Sequence, residues 1–482
     1  MLRRLEYKWL VAITFVSGLI MQILDLTILN VALATLGEEF NVDIGTLQWV
    51  LTSYMLSLAV FIPASGWISD RFGTKRTFQV AIIVFTSASV LCGLSQSIEW
   101  LIGARVLQGV GGGMLVPVGQ AMLYRAFPPD ERAKASAVLV IPTSIAPALG
   151  PILGGFLVES VSWRWIFFIN VPVGVLALTF TILFLREETQ SNPGSLDLAG
   201  FVLAGGGLAT FLLGLDRGAR DGWAEPHVWG SLLTGVVLLS LLVWRELAAR
   251  QPMLDLRLLG QRLFASGNGV LLCLVAGMFG VLFLLPLYLQ RLRGASALEA
   301  GLVLAPQALG LVATTQVSSR LYGRIGPRRM LLTGFTIIGA VTLSLQLIGL
   351  DTSFWFLAGL MFVQGIGMGT SMIPLQAATF AQTSPASMGR ATSLFNTSRQ
   401  VATATGVAIV STVLVGATQA RLADLGSGAS EAARAAAQMD AYHVAFLAAV
   451  GFAVMGAVIA WFIRDEDAAA SMRSPSASAS AA

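Results

Sequence analysis

An acid and a base lie within long apolar segments of the chain: Asp25 in the first segment and Arg105 in the fourth. A charged side chain at the centre of a bilayer costs roughly 2.5–3.5 kcal/mol on insertion scales, so each residue is a functional candidate. Burial favours the neutral form of a carboxyl group, whereas a nearby guanidinium favours the carboxylate. We therefore expect Asp25 to bind and release protons as its surroundings change, with Arg105 modulating it. The alternative is a static Asp25–Arg105 ion pair that locks two helices together.

A short charged loop joins the second and third apolar segments, and we expect it to control a conformational change. Its aspartate, Asp70, is placed to pair with a basic side chain or a helix N-terminus, which would hold one side of the molecule closed. The alternative is that these charges only orient the chain in the membrane. The residues assigned to this gating loop are Gly66, Asp70, Arg71, Gly73, Lys75 and Arg76.

The composition places both features in a membrane protein. Hydrophobic residues make up 55% and charged residues 12% of the 482 positions, and the mean hydropathy is +0.76. A soluble globular chain carries about 25% charged residues. Since a spanning helix needs roughly 20 apolar residues, we predict fourteen membrane-spanning helices, at 10–36, 47–68, 77–96, 99–123, 134–158, 163–185, 197–215, 228–245, 264–290, 297–319, 329–349, 354–380, 391–417 and 441–463.

Lysine and arginine are distributed unequally between the two faces of the membrane. With the N-terminus in the cytoplasm, 21 of the 30 basic residues lie in cytoplasmic segments and 7 in outer segments. Such an excess orients a membrane protein with its basic loops inside the cell. We therefore expect a multi-pass protein of the cytoplasmic (inner) membrane with both termini in the cytoplasm. The formal net charge of +4 is small and does not indicate a nucleic-acid partner.

The chain contains two related halves. The run QGVGGG that begins at Gln108 returns as QGIGMG at Gln364, and the motif DRFG at Asp70 returns as GRIG at Gly323. Two parallel repeats predict an all-α polytopic protein of two six-helix halves plus two inserted helices, with a binding site near the membrane midplane. The predicted domains are an N-terminal half (1–190), two inserted helices with a cytoplasmic linker (191–262), a C-terminal half (263–465) and a disordered tail (466–482).

A third charged residue deep within a predicted span, Arg399, has no counterpart in the first half, where Thr143 takes its place. It could contact an anionic group of a ligand or cap backbone carbonyls near Gly406. Methionine and aromatic side chains suit a site that accepts varied lipophilic shapes, although core packing is the commoner fate of any one of them. The residues expected to line this cavity beside Arg399 are Met21, Gln22, Asn30, Trp49, Tyr54, Gln120, Gln307, Gln316, Gln376, Asn396 and Gln400.

The fifth predicted span combines helix-breaking and small residues in the segment APALGPILGG, which begins at Ala146. In a membrane, neighbouring groups satisfy the freed backbone atoms, and small residues let helices approach closely. The segment is therefore either a tight helix crossing or a pivot about which the two halves rock. Its five key residues are Pro147, Gly150, Pro151, Gly154 and Gly155.

These motifs resemble those of the major facilitator superfamily, and in particular its 14-helix branch of drug:proton antiporters. The second half departs from the pattern, since Gly323 stands in the place of Asp70 and Met361 in the place of Arg105. The similar stretches are the charged loop GWISDRFGTKR from Gly66, the antiporter motif APALGPILGG from Ala146, the first-helix motif LDLTILNVAL from Leu24, the fourth-helix motif RVLQG from Arg105 and the junction SWRWIFFINVPVG from Ser162.

The resemblance implies a proton-coupled exporter of lipophilic compounds, cationic ones among them, in which Asp25 and Arg105 serve proton coupling. We expect no enzyme activity and no metal, because the sequence shows no nucleophile–base pair and no His/Cys/Asp cluster with the spacing of a metal site. We expect no cofactor, because the proton gradient would supply the energy. The expected partners are a small lipophilic substrate, protons and membrane lipid, and we expect a monomer. The alternative is a transporter of the same fold for a lipid or a specific metabolite, of which the latter would usually carry more charged residues in its cavity.

Overall fold

The computed structural model describes residues 6–42, 44–189, 197–249, 252–425 and 430–472. Every regular element among them is helical. The helices are α1 (Tyr7–Phe40), α2 (Ile44–Phe72), α3 (Thr74–Gly93), α4 (Ile98–Ala126), α5 (Arg132–Ser160), α6 (Trp165–Phe168), α7 (Asn170–Phe184), α8 (Leu198–Asp221), α9 (Pro226–Ala248), α10 (Arg262–Leu287), α11 (Ala297–Ile325), α12 (Pro327–Ser344), α13 (Phe354–Thr379), α14 (Met388–Leu425), α15 (Glu431–Trp461) and α16 (Ala469–Met472).

The all-α prediction with fourteen spans is confirmed. Thirteen helical segments of the described chain are long and apolar enough to cross a membrane, and α5, with 29 residues, supplies the fourteenth. The sixth predicted span is divided at Ile169 into α6 and α7. The tail differs from expectation: Asp465–Ala468 forms a 3₁₀ turn and α16 follows it, and the hydroxyls of Ser471 and Tyr322 lie 2.7 Å apart. Residues 473–482 lie outside the described part.

The chain divides into two compact units, which we describe separately. The first unit consists of Met1–Phe211, Leu233–Leu258 and Thr383–Thr397. The second unit consists of Leu212–Leu232, Leu259–Gln382 and Ser398–Ala482. The first unit thus includes the beginning of α14, which the sequence assigns to the C-terminal half. The predicted domain boundaries stay a prediction.

In the first unit, α4 packs against α2 and α3 through glycines of the repeated motif. A Cβ atom added to Gly109 would lie 2.6 Å from the carbonyl oxygen of Tyr54 on α2. A Cβ added to Gly111 would lie 2.6 Å from the backbone nitrogen of Phe85 on α3. Since no real Cβ sits so close to a backbone atom, only glycine permits these helices to approach as they do.

The second unit repeats this packing with the second copy of the motif. A Cβ atom on Gly365 of α13 would lie 2.9 Å from the backbone nitrogen of Leu311 on α11, and one on Gly367 would lie 3.0 Å from the carbonyl oxygen of Gly334 on α12. The sequence repeat is therefore a repeat of helix packing, in which one Gly-rich helix lies between two neighbours in each unit.

Gly109→Ala and Gly365→Ala are each expected to lower the thermal stability of the detergent-purified protein, because the new Cβ pushes two helices apart. Overpacking of this kind costs roughly 1–3 kcal/mol. Gly103→Ala and Gly359→Ala are matched controls at repeat-related positions of α4 and α13, where an added Cβ meets no described atom within 4 Å. The controls should keep or raise the melting temperature, since alanine favours helix. Equal melting temperatures in all four variants would contradict the packing role.

Candidate functional site

The two buried ionisable residues predicted from the sequence form an ion pair in the first unit. Asp25 on α1 and Arg105 on α4 are 2% and 0% exposed. The Nη1 atom of Arg105 donates a hydrogen bond of 2.6 Å to Oδ2 of Asp25. Removing water from both charges is costly, and only close contact with further hydrogen bonds offsets that cost.

The remaining lone pairs of the Asp25 carboxylate are satisfied by two amides. Gln108, one turn after Arg105, donates from Nε2 to Oδ1 at 2.8 Å, and Asn170 at the start of α7 donates from Nδ2 to the same oxygen at 3.0 Å. The Oε1 atom of Gln108 accepts from Nη1 of Arg105 at 2.6 Å. Asp25 thus joins three helices, α1, α4 and α7. Sequence analysis missed Asn170, although the junction motif from Ser162 contains it.

Arg105 is also held from α2. Its Nε donates to the carbonyl oxygen of Val50 at 3.1 Å, and its guanidinium carbon lies 4.3 Å from the centre of the Tyr54 ring. Such a cation–π contact is stronger when it is shielded from water. The Nη2 atom is buried and has no hydrogen-bond partner among the described residues. Arg105 therefore keeps several partners that do not depend on the charge of Asp25.

The residues expected to line a cavity occupy different surroundings. Tyr54 packs on Arg105, and Asn396 donates to Oε1 of Gln120 at 2.7 Å within the first unit. In the second unit, Nε2 of Gln307 contacts the sulfur of Met368 at 3.1 Å. The side chain of Asn30 lies outside the described part. Of the others, Met21, Gln22 and Gln376 are buried, Arg399 and Gln400 are half-buried, and Trp49 and Gln316 are exposed.

Asp70, at the end of α2, is 1% exposed and faces two arginines. Nη2 of Arg125 donates to its Oδ1 at 3.0 Å, and Nε of Arg390 on α14 lies 3.8 Å from Oδ2. One helical turn earlier, the backbone N–H of Gly66 donates to Oγ of Ser393 at 2.9 Å. Asp70 and Gly66 thus attach the first turns of α14 to α2.

The basic residues of the charged loop have a different partner. Nζ of Lys75 donates to the carbonyl oxygens of Ile182 and Leu185 at the end of α7, at 2.9 and 2.8 Å. The backbone N–H groups of Lys75 and Arg76 donate to the carboxylate of Glu187 at 3.1 and 3.2 Å. Arg71 is exposed. The two parts of the loop therefore contact different helices: Asp70 contacts α14, and Lys75 contacts the end of α7.

Gly73 produces the turn that separates these two groups. Its φ of +93° lies in a region that side chains other than glycine rarely adopt. An added Cβ would also collide with the side chain of Glu187. Glycine is therefore needed here for both the backbone conformation and the space.

The antiporter motif places α5 against α1 beside the buried ion pair. A Cβ added to Gly150 would collide with the side chain of Thr27, and one added to Gly154 would lie 3.1 Å from the carbonyl oxygen of Ile28. Thr27 and Ile28 follow Asp25 within the same helical turn. Gly155 meets no described atom within 4 Å. The side chains of Pro147 and Pro151 lie outside the described part.

Two further ion pairs lie at the ends of helices. The hydrogen bond of 2.7 Å from Nζ of Lys8 holds the pKa of Glu131 below its ordinary value and ties α1 to the start of α5. Partial burial acts to raise the pKa of Asp197, but the hydrogen bonds that it accepts from Arg245 and from the Gly200 N–H outweigh burial and lower it. Asp197 and Arg245 join the two inserted helices.

The profile of the Major Facilitator Superfamily matches residues 15–407 and 269–481. This chain belongs to that superfamily. It is 36% identical over 402 residues to the Multidrug resistance protein B homolog of Mycobacterium tuberculosis (strain ATCC 25618 / H37Rv), covering 82% of this chain and 74% of that protein. It is also 36% identical over 358 residues to the Putative multidrug resistance protein MdtD of Yersinia pestis (strain Pestoides F), covering 74% of this chain and 76% of that protein.

Solved structures of major facilitators share the fold. The human organic anion transporter MFSD10 superposes with a TM-score of 0.64 at 15% identity, covering 94% of this chain and 99% of that one. The proton:xylose symporter XylE superposes with a TM-score of 0.62 at 14% identity, covering 95% of both chains. The family profile and the relatives of 36% identity identify this major facilitator as a multi-pass membrane transporter and not an enzyme.

Gly154→Leu is expected to stop transport, because a leucine side chain would force α5 away from Ile28 of α1. Gly155→Leu is the matched control on the same helix, since Gly155 faces open space. We expect the Gly154 variant to remain in the membrane but to be trapped in one orientation. Accessibility of introduced cysteines from each side of the membrane would show the trapped state. Normal transport by both variants would exclude a role of this helix contact in the transport cycle.

Proposed function

We propose that this major facilitator is a proton-coupled antiporter that exports lipophilic compounds, cationic ones among them, across the cytoplasmic membrane. The observation that carries the proposal is the burial of Asp25 within a membrane span, against Arg105 and two amides. An intramembrane acid of this kind is a group whose charge a single proton can change. The relatives named as multidrug resistance proteins support drug-like substrates.

Proton binding would switch the contacts of Asp25. A neutral carboxylic acid attracts a guanidinium much less than a carboxylate does. Arg105 would then keep the Gln108 side chain, the Val50 carbonyl oxygen and the Tyr54 ring as partners. Its charge would therefore keep partners within the membrane after the proton binds. Loss of the proton restores the ion pair, so the site alternates between two states that differ by one charge.

The antiporter motif offers a route from this switch to helix movement. Thr27 and Ile28 lie within one turn of Asp25 on α1, and they touch Gly150 and Gly154 of α5. A shift of α1 upon protonation would therefore act directly on α5. Because the contact is made by glycines, α1 and α5 can slide without interlocking side chains. In this scheme a proton that enters from outside moves the two helices as the substrate leaves.

Asp70 would hold the cytoplasmic gate in the closed state. Its carboxylate binds Arg125 and approaches Arg390, which lies in the first turn of α14. Charge-assisted contacts of this type are stronger than neutral hydrogen bonds. The gate would open when these contacts separate, with the energy supplied by the proton gradient and no cofactor. We further propose a monomer with both termini in the cytoplasm.

Asp25→Asn is expected to abolish proton-driven export, because an amide keeps the shape of the carboxyl group but cannot exchange a proton. Uptake of a fluorescent lipophilic cation into inverted vesicles with an imposed pH gradient would measure this. Glu38→Gln is the matched control, since it removes an exposed acid from the same helix, and it should transport at the wild-type rate. Asp25→Glu keeps the charge and should retain part of the activity. Wild-type transport by Asp25→Asn would exclude Asp25 as the proton carrier.

Asp70→Asn is expected to slow turnover more than it weakens substrate binding, because Asp70 lies on a gate and not at the substrate site. A hydrogen bond to a charged group contributes roughly 1.5–3 kcal/mol, so its loss shifts the closed–open equilibrium about tenfold or more. Arg71→Gln alters an exposed neighbour and should change neither quantity. Rates of export and binding of the fluorescent substrate would be measured together. Loss of affinity at an unchanged maximal rate would contradict the gate.

A second candidate is transport of an anionic lipid or a defined anionic metabolite. Arg399 favours it, because its half-buried guanidinium has no hydrogen bond or ion pair with any described residue. Export of a lipophilic anion that Arg399→Gln abolishes, with cation export by the same variant unchanged, would favour this candidate. Export limited to cations would favour the first.

A further inference from the structure

An apolar groove runs along the surface of the second unit between α12 and α15. Its volume is about 630 Å³, within the roughly 300–1,000 Å³ of sites that hold small molecules. Nothing in the proposed transport mechanism uses it. The groove is lined by Leu332, Phe335, Thr336, Gly339, Ala340, Leu343, Val450, Ala453, Val454, Ala457, Val458, Trp461 and Phe462.

The groove exists because small residues face each other across the two helices. Gly339 lies opposite Ala453, and a Cβ on Gly339 would still be 3.5 Å from the Ala453 methyl carbon. The buried ring of Phe335 forms the floor, in space that Gly456 leaves open. Between these positions, the surface of the groove consists almost entirely of carbon atoms. An acyl chain matches such a surface better than a polar ligand does, since apolar burial is the only attraction available.

One end of the groove is basic and aromatic. The guanidinium carbon of Arg328 lies 4.4 Å from the centre of the Trp461 ring. Arg329 is exposed and lies one helical turn before Leu332 of the groove. Arg262 donates from Nη2 to the carbonyl oxygen of Phe462 at 2.9 Å. Tryptophan and arginine at the end of a spanning helix mark the level of lipid headgroups.

An acidic residue also lies at this end. Asp465 accepts a hydrogen bond of 3.0 Å from the backbone N–H of Arg328 at the start of α12. That carboxylate therefore binds the helix N-terminus, where a negative charge is favoured. No ion pair between Asp465 and the side chain of Arg328 or Arg329 occurs among the described residues. Both guanidinium groups can consequently face a further anion.

We propose that the groove binds an anionic phospholipid, with one acyl chain between α12 and α15 and the phosphate on Arg328 and Arg329. Basic pockets between spanning helices recognise anionic headgroups in this way. The proposal does not depend on proton coupling or on the transported compound. It assigns the site a headgroup preference, which distinguishes it from ordinary contact with the surrounding bilayer.

The test uses the full-length protein in nanodiscs, with a bimane fluorophore on a cysteine introduced by Thr336→Cys. Thr336 is an exposed residue of the groove, and the two native cysteines, Cys92 and Cys273, are buried. Quenching by phosphatidylglycerol with brominated acyl chains is compared with quenching by brominated phosphatidylcholine. We expect a preference for phosphatidylglycerol of about fivefold for each arginine engaged.

Three variants separate the headgroup from the groove. Arg328→Gln combined with Arg329→Gln should remove the preference and leave quenching by phosphatidylcholine unchanged. Gly339→Leu fills the groove and should lower quenching by both lipids, whereas Gly451→Leu, on an exposed part of α15 that does not line the groove, should not.

A fluorophore at Met455→Cys, exposed on α15 and not among the residues that line the groove, should show no headgroup preference. Equal quenching by the two lipids at Thr336→Cys would overturn the proposal and identify ordinary bilayer lipid. The same outcome follows if the preference survives removal of both arginines. Neither result would bear on the proposed antiport, because the readout is lipid binding and not transport.

Discussion

The pairing of Asp25 with Arg105 is the constraint on which the first unit depends. Removing one partner of a buried ion pair costs roughly 3–5 kcal/mol, because the other charge is left without compensation. The pair and its two amides connect α1, α4 and α7, and Val50 adds α2. These helices must therefore keep their relative positions for as long as the carboxylate is charged. In the proposed mechanism, a change of that charge would release α1 and α7 from Arg105 and Gln108, whereas the contact of Arg105 with Val50 would remain.

Whereas the ion pair joins helices through side chains, glycine allows helices to approach closely without interlocking side chains. In α4 and α13 the repeated glycines bring the backbones of neighbouring helices close together. In α5, Gly150 and Gly154 make a similar approach to α1 next to Asp25. The same small-residue packing thus occurs in the helix core of each unit and beside the buried ion pair. In α5 these glycines contact Thr27 and Ile28, the residues of α1 that follow Asp25.

Some candidate residues can be recognised in the sequence because a single segment carries the whole signal. Asp25, Arg105 and Asp70 are conspicuous because a charge in or beside an apolar run is rare. Asn170 was missed, because its contact with Asp25 joins residues 145 positions apart and an amide at a helix start has many uses. Lys75 was grouped with Asp70, but the positive φ of Gly73 turns it toward the end of α7.

The sequence by itself determined the number of spans, the repeat and the identity of the buried charges. Hydropathy and composition are properties of continuous segments, and the bilayer leaves a spanning segment little choice but helix. Only the tertiary structure decided which groups surround each charge, because the side of a helix that faces a partner depends on how several helices pack. The second donor to Asp25, the arginines around Asp70 and the groove beside Arg328 all arise in this way. Each of these contacts joins residues that are far apart in the chain, and hydropathy does not predict which distant residues come together in space.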